Sequence, residues 1–173
     1  MPTHYSGAPA EVAALDAYIK LMRAAESVTA RLQPSMAAAG LTVGQFGALE
    51  ALLHLGPLCQ RDLGRKLLRS SGNITVVVSN LALRGLVRRS RRRDDRRFIT
   101  VSLTDRGRRL ISDLFPRHVS RLVREMNLLS PREQGELGRL CRRLGRHGRG
   151  LTAGKENGNG SQPGDTLRLA RAL

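Results

Sequence analysis

Between Arg88 and Arg97 the chain reads Arg-Arg-Ser-Arg-Arg-Arg-Asp-Asp-Arg-Arg, seven arginines and two aspartates in one short stretch. A charge run this dense belongs at the surface. Its flanks fix its setting: a helical pattern ends at Gly85, and Ile99-Thr100-Val101-Ser102-Leu103 alternates as a half-buried strand does. Leu86 to Arg89 and Phe98 to Leu103 are therefore expected to pair as a hairpin with the arginines between them. A basic hairpin carried directly after a helix is suited to lie along phosphates. The plainer alternative is a solvated charge run with no partner.

Composition narrows that choice. A chain of 173 residues has room for one domain with a real core. Its formal net charge of +16 attracts polyanions, nucleic acid before anionic membrane. Aromatics are only 3% of residues and Trp is absent, which disfavours stacking on unpaired bases and favours a duplex. The basic residues cluster on a hairpin instead of an amphipathic helix, so a membrane surface is the weaker partner. Met1 to Pro9 is polar and no apolar run approaches the roughly 18 residues of a membrane span. Cys59 and Cys141 make no disulfide framework and fit a reducing compartment. The expectation is a soluble, cytoplasmic, basic globular protein.

Periodicity and caps then order the elements. Residues 1–10 read as a flexible arm. A first helix is expected from about Glu11 to Ala39, with Val12, Leu15, Tyr18, Ile19, Met22 and Val28 as its stripe, a kink or break at Pro34, and an end at Gly40. Thr42 and Gln45 have capping-box spacing, Leu41 and Phe46 occupy staple positions, and Gly56-Pro57 stops the second helix after Phe46, Leu49 and Leu53. A short third helix, Gln60 to about Leu68, is followed by a turn through Arg69, Ser70 and Ser71. In the next segment local preference and spacing disagree. Asn73-Ile74-Thr75-Val76-Val77-Val78 is β-branched and alone would form a strand. Ile74, Val77, Val78 and Leu81 nevertheless fall at i, i+3, i+4, i+7, which predicts a fourth helix from Gly72 to Arg84 closed by Gly85.

After the hairpin, Thr104-Asp105 opens a fifth helix of about 24 residues with a regular stripe from Leu110 to Met126 that includes Phe115 and His118. Ser130-Pro131-Arg132-Glu133 opens a sixth, with Leu137, Leu140, Cys141 and Leu144 on one face. Residues 148–173 turn to Gly, Asn, Ser and Lys without period and read as a disordered tail.

Two short helices joined by a tight turn and followed by a basic hairpin make a winged helix-turn-helix, mainly α with a small β-wing. Its second helix would enter a major groove, placing Ser71, Asn73, Thr75, Val76 and Asn80 nearest the base edges. Asn pairs with adenine, and Thr and Val methyls meet a thymine methyl. Arg91, Arg92, Arg93 and Arg96 would supply phosphate attraction.

At Leu41-Thr42-Val43-Gly44-Gln45-Phe46, Ser71-Gly72-Asn73-Ile74-Thr75, Leu81-Ala82-Leu83-Arg84-Gly85-Leu86-Val87 and Asp94-Asp95-Arg96-Arg97 with Val101-Ser102-Leu103-Thr104, the chain resembles the multiple antibiotic resistance regulators, the MarR family. The resemblance covers about Val12 to Arg146. It implies a homodimer on a palindromic operator, with a winged helix-turn-helix at residues 41–104 and a helical dimerisation region at 11–40 and 105–147. It also implies that Asp95 orients Arg97 into the minor groove, whose negative potential in A-tracts attracts Arg. Many members respond to small aromatic anions in a crevice between these regions, which makes Met22, Phe46, Leu49 and Leu53 candidate effector-lining residues. Ordinary core packing explains the same four. Ser79 stands where the family often carries an acidic residue, and Cys59 where Thr or Ser is common.

Other chemistries find less in the chain. Cys59, at the expected N-cap of the third helix and beside Arg61, has the setting that favours thiolate and would suit a redox switch. The plainer reading, a small residue that caps poorly, is the favoured one. Cys141, beside Leu140 and Leu144, reads as dimer-core packing. His118 on the apolar stripe reads as a satisfied interior histidine. His4, His54 and His147 have no metal-ligand spacing, and no catalytic constellation, cofactor loop or enzyme motif is present in the sequence. The expected function is a sequence-specific regulator, a repressor released by a small aromatic or anionic effector. The alternatives are a thiol-based sensor at Cys59 and a non-specific architectural DNA coat. Replacing Arg97 by Ala should weaken operator binding by about 1–3 kcal/mol; unchanged affinity at fixed salt would refute the role of the wing.

Overall fold

Helix boundaries follow the capping residues. The Thr42 hydroxyl accepts from Gln45 N–H at 3.2 Å, and Gln45 Oε1 accepts from Thr42 N–H at 3.0 Å. This reciprocal box opens α2, Val43–Leu55. The computed structural model describes residues 4–91 and 99–147, with Arg146 and His147 as backbone only. It divides the chain into two units, Met1–Met126 and Asn127–Leu173.

In the first unit, α1 spans Pro9–Ala37, with Pro9 in its first turn and the Glu11 carboxylate accepting Ala8 N–H at 3.0 Å. Pro34 lies inside α1, removing a hydrogen bond without ending the helix there. Gly40, at φ +66°, closes it, and Leu41 N–H reaches back to Met36 O at 2.9 Å. Only the last turns of α1 are buried, at Leu32, Ser35 and Met36. The expected stripe further up is half-buried at Val12, Leu15, Ile19 and Val28 and open at Met22 and Tyr18, the latter 59% exposed.

A two-residue strand, β1 (Leu58–Cys59), precedes α3 (Gln60–Lys66). The helical spacing at residues 74–81 prevails over β preference: α4 runs Ser71–Leu83 and buries Ile74, Val77, Val78 and Leu81. Gly85 at φ +67° ends it, with Leu86 N–H on Leu81 O at 2.9 Å. The hairpin is β2 (Val87–Arg91) and β3 (Ile99–Leu103), antiparallel with Val87 opposite Leu103 and Arg91 opposite Ile99. β1 pairs with the far edge of β3, giving the order β1-β3-β2. That third strand was not expected from sequence, because two residues display no period. α5 follows at Asp105–Met126. The core gathers around α2, which packs on α4, α5 and β3. This enclosure buries Ala48, Leu49 and Leu52 along with Phe46, and leaves Leu53 half-buried where a single buried stripe was expected.

The second unit contains α6, Pro131–His147. Ser130 N–H and hydroxyl both donate to the Glu133 carboxylate, at 2.8 and 2.7 Å, holding that carboxyl below its ordinary range. Among the described residues, no helix is long and apolar enough to cross a membrane.

One close approach joins the hairpin to α5. Leu86 O accepts from Thr104 N–H at 3.1 Å, and the Thr104 hydroxyl donates to Gly85 O at 2.7 Å while accepting Gly107 N–H at 3.0 Å. A Cβ at Gly107 would lie 1.9 Å from Leu86 O. Gly107→Ala should therefore destabilise the fold by at least about 1–3 kcal/mol, through backbone displacement. Gly135→Ala in α6, where an added Cβ meets nothing within 4 Å, serves as the control. Urea denaturation of both variants checks this; equal midpoints would show that the contact yields easily.

Candidate nucleic-acid interface

The same periodicity that buries one side of α4 turns another side outward. Ser71, Asn73, Thr75, Val76 and Asn80 are all exposed, Val76 at 59%. An exposed valine facing water on a helix gains nothing for the fold, so this face is available to a partner. The helix begins one residue earlier than expected. Ser70 is its N-cap, with its hydroxyl accepting Asn73 N–H at 3.3 Å. Thr75 is tied on both sides: its hydroxyl donates to Ser71 O at 2.9 Å and accepts from Gln60 Nε2 at 3.0 Å. Sequence reading missed Gln60, since nothing local signals a side-chain bond spanning 15 residues.

The arginine hairpin stands beside this helix. Arg89 Nη1 donates to the Ser79 hydroxyl of α4 at 3.3 Å, and Arg88 Nε donates to Ser102 at 2.9 Å. Both acceptors are neutral, so neither guanidinium charge is cancelled by its partner. Arg89 and Arg91 share one face of β2 by alternation and both are exposed. The remaining wing residues of the sequence reading, Arg92, Arg93, Asp95, Arg96 and Arg97, lie outside the described residues. Further exposed cations, Arg61, Arg65, Lys66 and Arg69, sit on α3 and the turn after it. They were not singled out from sequence. The Arg65–Asp62 contact at 3.4 Å joins two exposed groups and leaves the local field positive.

The four effector candidates are placed differently from one another. Leu49 is fully buried, Phe46 is buried, Leu53 is half-buried and Met22 is 42% exposed. Phe46 meets the His118 ring at a centroid distance of 4.5 Å, and His54 meets Phe115 edge-on at 4.7 Å. His118 is not the satisfied interior histidine expected: its Nδ1 is buried without a hydrogen-bond partner among the described residues. Burial pushes this imidazole below its ordinary pKa, against the opposing pull of the Glu50 carboxylate. Cys59 is half-buried at the N-cap of α3, as expected, and makes no side-chain cap bond there. Cys141 is exposed on the single chain.

Comparison with known proteins decides the family. Residues 41–99 match the MarR family model. The uncharacterized HTH-type transcriptional regulator YkoM of Bacillus subtilis (strain 168) is 32% identical over 138 residues, covering 80% of this chain and 90% of YkoM. The chain belongs to the MarR family. It is thus a DNA-binding transcriptional regulator of that type. AbsC, a MarR family transcriptional regulator from Streptomyces coelicolor, shares the fold with a TM-score of 0.74 over 86% of this chain and 99% of AbsC, at 22% identity. Bordetella bronchiseptica BpsR, whose DNA binding is regulated by 6-hydroxynicotinic acid, matches at 26% identity with a TM-score of 0.68, over 75% of this chain and 98% of BpsR.

In this MarR-type protein each arginine that meets a phosphate releases condensed counterions. Arg91→Ala should reduce the magnitude of the slope of log K against log salt by about 0.9. Titration of duplex DNA across a salt series measures it, and an unaltered slope would remove Arg91 from the interface.

Proposed function

We propose that this chain is a homodimeric repressor that reads a palindromic operator with α4 and is released by a small aromatic anion. The observation that carries the reading is the exposed, apolar-and-amide face of α4 set against an arginine hairpin whose Arg89 touches that same helix. Ser71, Asn73, Thr75, Val76 and Asn80 would meet base edges. Arg91 with Arg92, Arg93 and Arg96 would lie on phosphates, and Arg97, oriented by Asp95, would enter the minor groove.

Dimerisation is supported by apolar surface that one copy leaves open, Tyr18 and Met22 on α1 and Val119 and Val123 on α5. Two half-sites about one helical turn, ~10 base pairs, apart would then be occupied together, occluding a promoter. The effector's chemistry is supported by BpsR's response to 6-hydroxynicotinic acid and by the Phe46–His118 pair. An anion near His118 would favour the imidazolium that burial disfavours, and so gain affinity for whichever dimer conformation brings the two together. A differential of about 1–3 kcal/mol between conformations is enough to shift DNA occupancy.

Binding to DNA from the gene's own upstream region, against a scrambled duplex at about 0.15 M salt, tests the reading; a true regulator prefers its site by roughly 10³ or more. Asn73→Ala should reduce that ratio rather than lower affinity uniformly. If no site from a genome-wide selection exceeds scrambled DNA, the protein coats DNA by charge and the repressor reading falls.

A further inference from the structure

Thr75, on the outward face of α4, has its hydroxyl bonded as both donor and acceptor within the protein. A threonine hydroxyl has one hydrogen and two lone pairs. Here the hydrogen goes to Ser71 O at 2.9 Å, and one lone pair receives Gln60 Nε2 at 3.0 Å. What Thr75 still presents outward is its methyl group and one lone pair, with no hydrogen left to donate.

We propose that Thr75 reads a thymine through that methyl, and that Gln60, from the preceding helix, is the positioning residue that holds it so. This rests on α4 being the helix that enters the major groove. A hydroxyl with its hydrogen committed inside the protein has nothing to donate to the guanine O6 and N7 acceptors. The C5-methyl of thymine is the major-groove group that an exposed methyl matches.

Two features of Gln60 strengthen the assignment. Its Oε1 is buried with no hydrogen-bond partner among the described residues, which leaves the bond from Nε2 to Thr75 to orient this amide. Turning the Thr75 hydrogen toward DNA would give up the Ser71 bond, and swinging the oxygen itself outward would give up the Gln60 bond as well. A half-turn of the amide leaves the conclusion intact. Oε1 would then take the Thr75 hydrogen, which remains inside the protein. Gln60 also sits in the first turn of α3, and α3 packs directly on α4, so the hold on Thr75 comes from a neighbouring rigid element. The β-branched side chain adds to this, since its χ1 has few allowed settings in a helix.

The experiment begins with selection of preferred duplexes by the full chain, followed by replacement of each thymine by uracil, which deletes only the C5-methyl. At one base pair per half-site the wild type should lose about four-fold in affinity, the value of one buried methyl contact. Thr75→Val, which keeps the methyl, should show the same uracil penalty. Thr75→Ser, which keeps the hydroxyl and its two partners, should lose it. Gln60→Met should shrink the penalty at that base pair and leave the other positions unchanged, a pattern that a general loss of stability would not produce. Melting temperatures of all three variants establish that they are folded. If Thr75→Ser keeps the preference at that pair and Thr75→Val loses it, the hydroxyl reads the base and the inference is overturned. The same holds if no uracil penalty depends on residue 75. A wild type that selects no sequence at all overturns the recognition-helix reading itself, a separate result from either.

Discussion

The burial of Ile74, Val77, Val78 and Leu81 against α2, α3 and the start of the hairpin is what makes residues 71–83 a helix. Left to local preference, this β-branched segment would be extended. Tertiary packing overrides that tendency because four side chains at helical spacing each lose their water together. The outward face is then fixed by default. Residues that do not point at the core occupy the remaining angular sector, and their stiff side chains have little freedom to wander. Stability and presentation of the reading surface thus come from one hydrophobic event.

A second joint sets the hairpin. The end of α4, the start of β2, the end of β3 and the start of α5 meet where Thr104 bridges Gly85 O and Gly107 N–H, with Leu86 O pressed against the Gly107 backbone. Glycine is required there for space, since its own torsions are those of an ordinary helix residue. The hairpin is anchored at this base and carries its charge outward from it. The wing therefore keeps its distance from α4 through backbone contacts, and Arg89 only adds to that hold.

Much of this was legible in the chain because it rests on short-range rules. The Thr42–Gln45 box, the helix stops at Gly40 and Gly85, the period within α4 and the alternation of Ile99–Leu103 each declare themselves within a few residues. What escaped the sequence is what distance hides. The β1 strand is too short to show a period, Gln60 reaches Thr75 only after the helix-turn-helix has folded, and Arg84 finds its partners 44 and 45 residues away. His118 fell between the two cases: its position on the stripe was plain, but its unpartnered nitrogen was not. The wing tip from Arg92 to Arg97 is the part of the candidate site that the sequence names and the described residues do not include.

Arg84 gives the fold a mechanical property beyond its stability. Its two guanidinium nitrogens grip Gly40 O at 2.6 Å and Ala39 O at 3.1 Å, so the carbonyls at the end of α1 are clasped by the last turn of α4. A planar fork on two adjacent acceptors resists twist as well as separation. The far end of the recognition helix is therefore hinged to α1, while its leading turns are carried on α3. A tilt of α1 would swing the leading turn of α4, and α3 with it, through an arc about that clasp, much as a door edge travels farther than its hinge.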